Sequence, residues 1–221
     1  MGSRLDMSTM LTIHAALRRD LEQVARIAGR RDGTDGTRLR AALGWRQFKK
    51  FLVVHHQVED DALWPALRAT VAGRPDQLAL VDALEREHAV IDPLLQAIDA
   101  AADSGDESRS LGDIIDELVV KLGGHLGHEE SDGLDLIDAA LSLEDWRRFG
   151  RVHGERLLGD APVYMPWLLD GADPRAVAAF LANVPPALVA AYRGQWASDY
   201  AALKPWDAAN GLAPSGADDN N

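Results

Sequence analysis

Apolar positions recur along most of this chain at three- and four-residue intervals, the period of a buried helix face. No segment alternates convincingly as a strand does. Four long helices follow from the pattern. The first runs over about residues 8–30, with Leu17, Leu21, Val24 and Ala28 in phase. The second covers about residues 37–70, and Pro65 inside it predicts a kink. The third spans roughly residues 76–103, with Leu84, His88, Ile91, Leu95 and Ile98 on one side and a bend expected at Pro93. The fourth covers about residues 111–140 and passes through Gly123 and Gly124. The segments GRRDGTDGT, AGRP and SGDESRS between them are loops by composition. Short connections between long amphipathic helices favour an all-α, up-down-up-down four-helix bundle over residues 8–140.

Past Leu141 the pattern changes. Ser142-Leu-Glu-Asp145 has the form of a capping box, and an amphipathic segment follows it to Leu158. YMPWLLDGADP reads as turn-rich, and helical stretches follow over about residues 175–182 and 186–202. Trp146, Trp167, Trp196 and Trp206 give this part enough apolar surface to pack onto the bundle. Residues 141–205 are therefore expected to form a helical extension of the bundle, and residues 206–221, rich in Ala, Gly, Asp and Asn, a disordered tail.

The apolar stripes carry residues that do not belong in an ordinary core. Positions four apart on a helix differ by only about 40°. His14 lies in line with Met10, Leu17 and Leu21, and His88 with Leu84, Ile91 and Leu95. In the second helix Phe48, Phe51, Leu52, Ala62, Leu63 and Ala66 mark a buried arc that contains His55 and Glu59. The fourth helix repeats this with Leu111, Ile114, Ile115, Leu118 and Leu122, continued by His125 and Glu129. Four helices thus each send one histidine inward, and two add a glutamate one turn later. His56, Asp60, Asp61, His128 and Glu130 fall on the flanks, where solvated or supporting roles are expected, and His153 reads as structural or exposed.

One inward histidine is ordinarily a hydrogen-bonded core residue, and a lone H-x-x-x-E is commonly a surface pair. Two core-facing pairs and two further core-facing histidines are different, because two unpaired carboxylates would be prohibitive to bury. A dinuclear metal centre removes that penalty. The chain has no cysteine, so thiolate nucleophiles and sulfur-ligated metals are excluded, and oxygen and nitrogen donors suit iron or manganese best. Thirty-five acids against 23 bases give a net charge of −12, which argues against nucleic acid and anionic membranes as partners. The N-terminal segment lacks the apolar stretch of a signal peptide, and the longest apolar run is broken by Asn183, Pro185 and Pro186. A cytoplasmic protein is the expectation.

His14, H-x-x-x-E at His55/Glu59, His88 and H-x-x-x-E at His125/Glu129, in that order on four helices, resemble the hemerythrin-like (HHE cation-binding) domains. The resemblance covers roughly residues 8–140, including HHQVEDDALWPAL and HLGHEES. It implies a non-haem centre of two iron ions, oxo- or hydroxo-bridged, with manganese or zinc as substitutes. His14 and His55 would serve one iron, His88 and His125 the other, and Glu59 and Glu129 would bridge. The chain departs from the oxygen carriers of that family, which place two histidines one turn apart on the third helix. Here Leu84 and Asp92 stand four residues from His88, and the last carboxylate comes four residues after its histidine rather than five. Asp92, His56, Tyr164, Tyr192 and Tyr200 are the candidates to replace the missing imidazole.

The resemblance and the donor set together imply a protein that binds or reacts with dioxygen, hydrogen peroxide or nitric oxide, with peroxide decomposition as one version. Open metal positions favour reaction over reversible dioxygen carriage. An iron- or oxygen-sensing module without catalysis is the alternative, as is an oxidase whose Trp-rich extension closes over an organic metabolite.

Overall fold

The computed structural model describes residues 4–28, 35–104 and 110–207. It is helical throughout, with no strand among the described residues. The expected loops around residues 29–34 and 105–109 and the tail over 208–221 lie outside the described residues.

Helix α1 (Ser8–Ala28) presents Ile13, Leu17, Leu21 and Val24 to the interior at helical spacing. The second expected helix is divided. A short α2 (Asp35–Ala41) ends before Ala42, whose extended backbone starts α3 (Leu43–Val58), and a π-helical turn over Glu59–Leu63 leads into α4 (Trp64–Thr70). Pro65 therefore sits in the first turn of α4, where no N–H is needed, instead of kinking a continuous helix. Helix α5 (Pro75–Ser104) continues through Pro93. Helix α6 (Leu111–His128) starts at Ser110, whose side chain accepts the Asp113 N–H at 3.1 Å. A second π turn over Glu129–Gly133 joins α6 to α7 (Leu134–Ala140).

These helices touch in a closed ring, α1 on α3, α3 on α5, α5 on α6 and α6 on α1. Their interior is not one apolar core but two. Leu17, Leu52, Ile91, Leu118 and Leu122 belong to one cluster, and Met10, Val58, Leu63, Trp64, Leu84 and Leu134 to the other. The inward histidines fall in the layer where the clusters meet.

The rest of the chain supplies α8 (Leu143–Leu157), α9 (Ala161–Leu169), α10 (Pro174–Ala182), α11 (Pro186–Ala191) and α12 (Ala197–Leu203), with a third π turn over Tyr192–Trp196. Ser142 caps α8 through the Asp145 N–H at 3.1 Å, as the capping-box pattern requires. The YMPWLL segment is helical instead of turn-rich, because six residues of α9, Tyr164 to Leu169, are buried and Pro166 follows only one turn of helix. The turn is confined to Asp170–Asp173, with Gly171 at φ +67°.

Trp167 and Tyr200 belong to the same apolar cluster as Leu17 and Leu52, so extension and bundle share a core. Trp206 packs flat against Gly44, where an added Cβ would lie 2.2 Å from its ring, and Gly44 N–H donates to the Pro205 carbonyl at 2.8 Å. Trp206, the first residue of the expected tail, is thus packed against α3. No helix among the described residues is long and apolar enough to cross a membrane.

Candidate metal centre

His14 of α1, His55 of α3, His88 of α5 and His125 of α6, with Glu59 and Glu129 at the head of the two π turns, are all buried in the layer between the apolar clusters. Each glutamate reaches a histidine of both pairs. Glu59 lies 3.4 Å from His55 Nε2 and 3.5 Å from His88 Nε2. Glu129 lies 3.2 Å from His14 Nε2 and 3.9 Å from His125 Nε2. The six residues singled out by the stripe pattern therefore meet at one place.

A seventh joins them. His56 is fully buried, its ring stacked on His88 with centroids 3.9 Å apart, and its donor atoms lie within 4.8 Å of those of His88 and His125. The flank position expected for His56 is wrong for a physical reason. The buried face of α3 is two ridges wide, and Phe48, Leu52 and His56 form one ridge at four-residue spacing beside Phe51, His55 and Glu59. Helix α6 has the same two ridges, Leu118–Leu122–Leu126 beside His125 and Glu129. Leu126 occupies the place that His56 takes on α3.

The outward ring nitrogens are held by carboxylates. His14 Nδ1 donates to Glu130 at 2.9 Å, and Arg18 grips the same carboxylate with contacts of 2.5 and 3.0 Å. His56 Nδ1 donates to Asp92 at 2.7 Å, His88 Nδ1 to Asp60 at 2.8 Å and His125 Nδ1 to Glu87 at 2.9 Å. A carboxylate on Nδ1 fixes the tautomer, turns the Nε2 lone pair inward and raises its basicity. Asp60 and Glu130 thus serve the supporting role expected of them. Asp92 backs His56 and does not enter the donor cluster. Glu87 escaped the sequence reading, because an acid beside His88 on a helix edge looks like any solvated surface residue.

The inward atoms show what the layer needs. His14 Nε2, His56 Nε2, both nitrogens of His55 and all four carboxylate oxygens of Glu59 and Glu129 are buried without a hydrogen-bond partner. His88 Nε2 faces His125 Nε2 at 3.2 Å, and with both Nδ1 atoms donating outward the facing atoms are both acceptors. Only a proton or a cation between them makes that arrangement favourable. Burial, then the charge of Glu129, holds the Glu59 carboxyl well above the ordinary carboxylate range. Burial and neighbouring imidazoles push His55 and His56 well below the usual histidine value, so both stay neutral. Burial opposes a charge on His14 too, but Glu129 and Glu130 outweigh it and raise this histidine. Inward-facing imidazole nitrogens and two buried carboxylates, with no hydrogen-bond donor from the rest of the chain to complete them, are a donor set suited to a pair of divalent or trivalent cations. Three donor groups meet that description: His56, His88 and His125; His14, His55 and Glu129; Glu59, His125 and Glu129.

Of the other candidates, Asp61 is exposed and paired with Arg156. His128 is partly exposed and donates to Glu87 at 2.8 Å. Tyr192 is only partly buried, and Tyr200 donates to Gln47 at 3.2 Å, two turns away from His55 along α3. Tyr164 and His153 are buried on the His55 side, with His153 held near 4 by burial and then by Arg156.

A buried layer of imidazole and carboxylate donors between two apolar cores defines a helical cation-binding protein. The family model of the hemerythrin HHE cation-binding domain matches residues 6–137, more than half of the chain, and the protein belongs to that family. No curated protein and no solved structure matches the chain. Residues 138–207, with α8 to α12, extend beyond the family match.

Proposed function

We propose that this is a di-iron protein whose four bundle helices run up-down-up-down and hold two iron ions for binding or reaction with a small oxidant: dioxygen, hydrogen peroxide or nitric oxide. The observation that supports it most is the inward set of unpartnered Nε2 and carboxylate atoms, four of whose histidines are backed by carboxylates. His56, His88 and His125 would hold one ion and His14 and His55 the other, with Glu59 and Glu129 spanning both. His56 takes the place of the imidazole that the third helix lacks. Two adjacent irons supply a two-electron redox couple to a small ligand.

The chain's own part is to bind, orient and keep water out. The clusters above and below the layer dry it, which strengthens every charge interaction inside. Glu130, Asp92, Asp60 and Glu87 fix four imidazoles before any cation arrives, so binding costs little reordering. The pair at His14 and His55 offers one imidazole fewer than the trio, so an ion held there would have more room for an exogenous ligand.

Iron reconstitution followed by metal analysis and a visible spectrum tests this directly. About two irons per chain are expected, with peroxide then evolving oxygen at an electrode or dioxygen changing the spectrum reversibly. Evolution assigns turnover, and reversible change alone assigns binding. A chain that takes up neither iron, manganese nor zinc would refute the reading.

A further inference from the structure

Among the five inward histidines His55 is the exception. The other four each set Nδ1 on a carboxylate, whereas His55 Nδ1 is buried with no hydrogen-bond partner. The local cause is visible in the sequence. Glu87, the residue before His88, serves His125 across the α5–α6 contact, and the residue before His14 on the helix beside His55 is Ile13, an apolar core residue.

What stands beside His55 instead comes from the extension. The His153 ring of α8 meets His55 edge-on with centroids 6.4 Å apart, and its other ring neighbours include Tyr164 of α9 at 5.8 Å. Tyr164 in turn packs edge-on against Phe51, one turn before His55, at 5.1 Å. The Tyr164 hydroxyl is buried and makes no hydrogen bond. A buried hydroxyl and a buried ring nitrogen without partners are rare in a finished interior. Here the two belong to rings that both neighbour one buried imidazole, that of His153. A single water molecule, which takes two to four polar partners, can join all three.

We infer that the extension completes the metal centre: the His153 imidazole and the Tyr164 hydroxyl act as a positioning pair that orients His55 through a shared water, in place of the carboxylate that backs each of the other four histidines. The inference rests on the two-ion reading above. It gives α8 and α9 a function that the family match does not contain, since both lie outside residues 6–137. It also makes the two ions unequal. Neutral support leaves His55 a weaker donor than carboxylate-backed histidines. The ion at His14 and His55 is held more loosely than its neighbour and is the one whose affinity the extension sets.

Stepwise competition of the metal-loaded full-length chain with a chelator reads this, alongside the melting temperature of the metal-free chain. In the wild type one ion is expected to leave at a lower chelator concentration than the other. Tyr164→Phe and His153→Leu should each weaken that ion by about tenfold and leave the tighter one unchanged. His153→Gln, which keeps a hydrogen-bonding side chain, should restore most of the loss. The metal-free melting temperature of Tyr164→Phe should not fall, because only an unpartnered hydroxyl is removed. Equal loss of both ions, or no change in either, would overturn the inference. So would an intense visible band of the iron-loaded wild type that vanishes in Tyr164→Phe, since it would make Tyr164 a direct ligand. If the wild type takes up no cation at all, it is the two-ion reading that fails.

Discussion

This chain buries carboxylates in two places and treats them in opposite ways. At the end of the bundle covered by α9 and the C-terminal turn, Asp20 takes hydrogen bonds from Trp167 Nε1 at 2.7 Å, Arg19 Nε at 3.0 Å and Trp206 Nε1 at 3.4 Å. Both of its oxygens are occupied. One turn past His55 and His125, Glu59 and Glu129 are buried just as deeply, yet none of their four oxygens has a hydrogen-bond partner. A buried carboxylate with a full set of donors is a structural clamp, here tying the extension to α1. One without donors is costly to keep: burial holds the Glu59 carboxyl well above the ordinary carboxylate range, and Glu129 relies on the His14 imidazole 3.2 Å away to offset its burial. The contrast separates a polar core residue from a candidate ligand without reference to any relative.

The contrast breaks most visibly at the glutamates. Glu129→Ala is expected to abolish uptake of both ions, because its carboxylate belongs with His14 and His55 on one side and with His125 on the other. Metal content after reconstitution checks this, and retention of even one ion at full affinity would mean that Glu129 does not span the pair. The metal-free variant should lose little stability. By the same logic iron loading should raise the melting temperature of the wild type by many degrees, since the cations bind only the folded arrangement. Asp20→Ala should do the reverse, costing stability and leaving metal content intact.

A smaller effect is expected at His56. His56→Leu copies onto α3 the residue that α6 carries at Leu126, so the packing ridge survives. The ion at His88 and His125 should then be weakened by about 10- to 100-fold, with the metal-free chain at least as stable as before. Unchanged affinity in a chelator titration would return His56 to a bystander. Below this come the outer carboxylates. Asp92→Asn and Glu87→Gln keep a hydrogen bond but withdraw the charge, and each should cost roughly tenfold in affinity for the same ion.

How much of this was legible depends on what kind of signal carried it. His14, His55, His88, His125, Glu59 and Glu129 could be read because each interrupts an apolar stripe whose phase is fixed by leucines on both sides. A single-ridge stripe on α3 puts His56 on the flank, although Phe48 and Leu52 mark a second ridge that carries it inward. The π turns were invisible to a reading at about 100° per residue, since a single wide turn changes hydrogen bonding from Trp64 N–H to Glu59 and from Leu134 N–H to Glu129 without altering composition. Gly133 was a missed hint there, for a Cβ at that position would lie 3.0 Å from Glu129 Cγ. Glu87 and Asp92 could not be recognised because their partners sit on other helices. In the extension, helical period and capping were readable, but not that Trp206 would close on Gly44, a contact between residues far apart in sequence.

The smallest expected effect concerns Asp20 and pH. Burial raises this carboxyl above its ordinary value, with Arg19 and the two tryptophans offsetting only part of the cost. An acid whose folded value lies above its unfolded one binds protons more readily in the folded chain, so stability is lost as pH rises between the two values and stays lost above both. Asp20→Asn keeps an oxygen for Trp167 and carries no charge, so it escapes that loss. Relative to wild type, the variant should therefore fare better at pH 7 than near pH 4, with the gap opening only on the acid side and flat from neutral upward. Urea midpoints of the metal-free chains at pH 4, 5, 6 and 7 measure it, since cation uptake would overlay its own proton competition. A gap of opposite slope would mean that Arg19 dominates and that Asp20 is a stabilising ion pair.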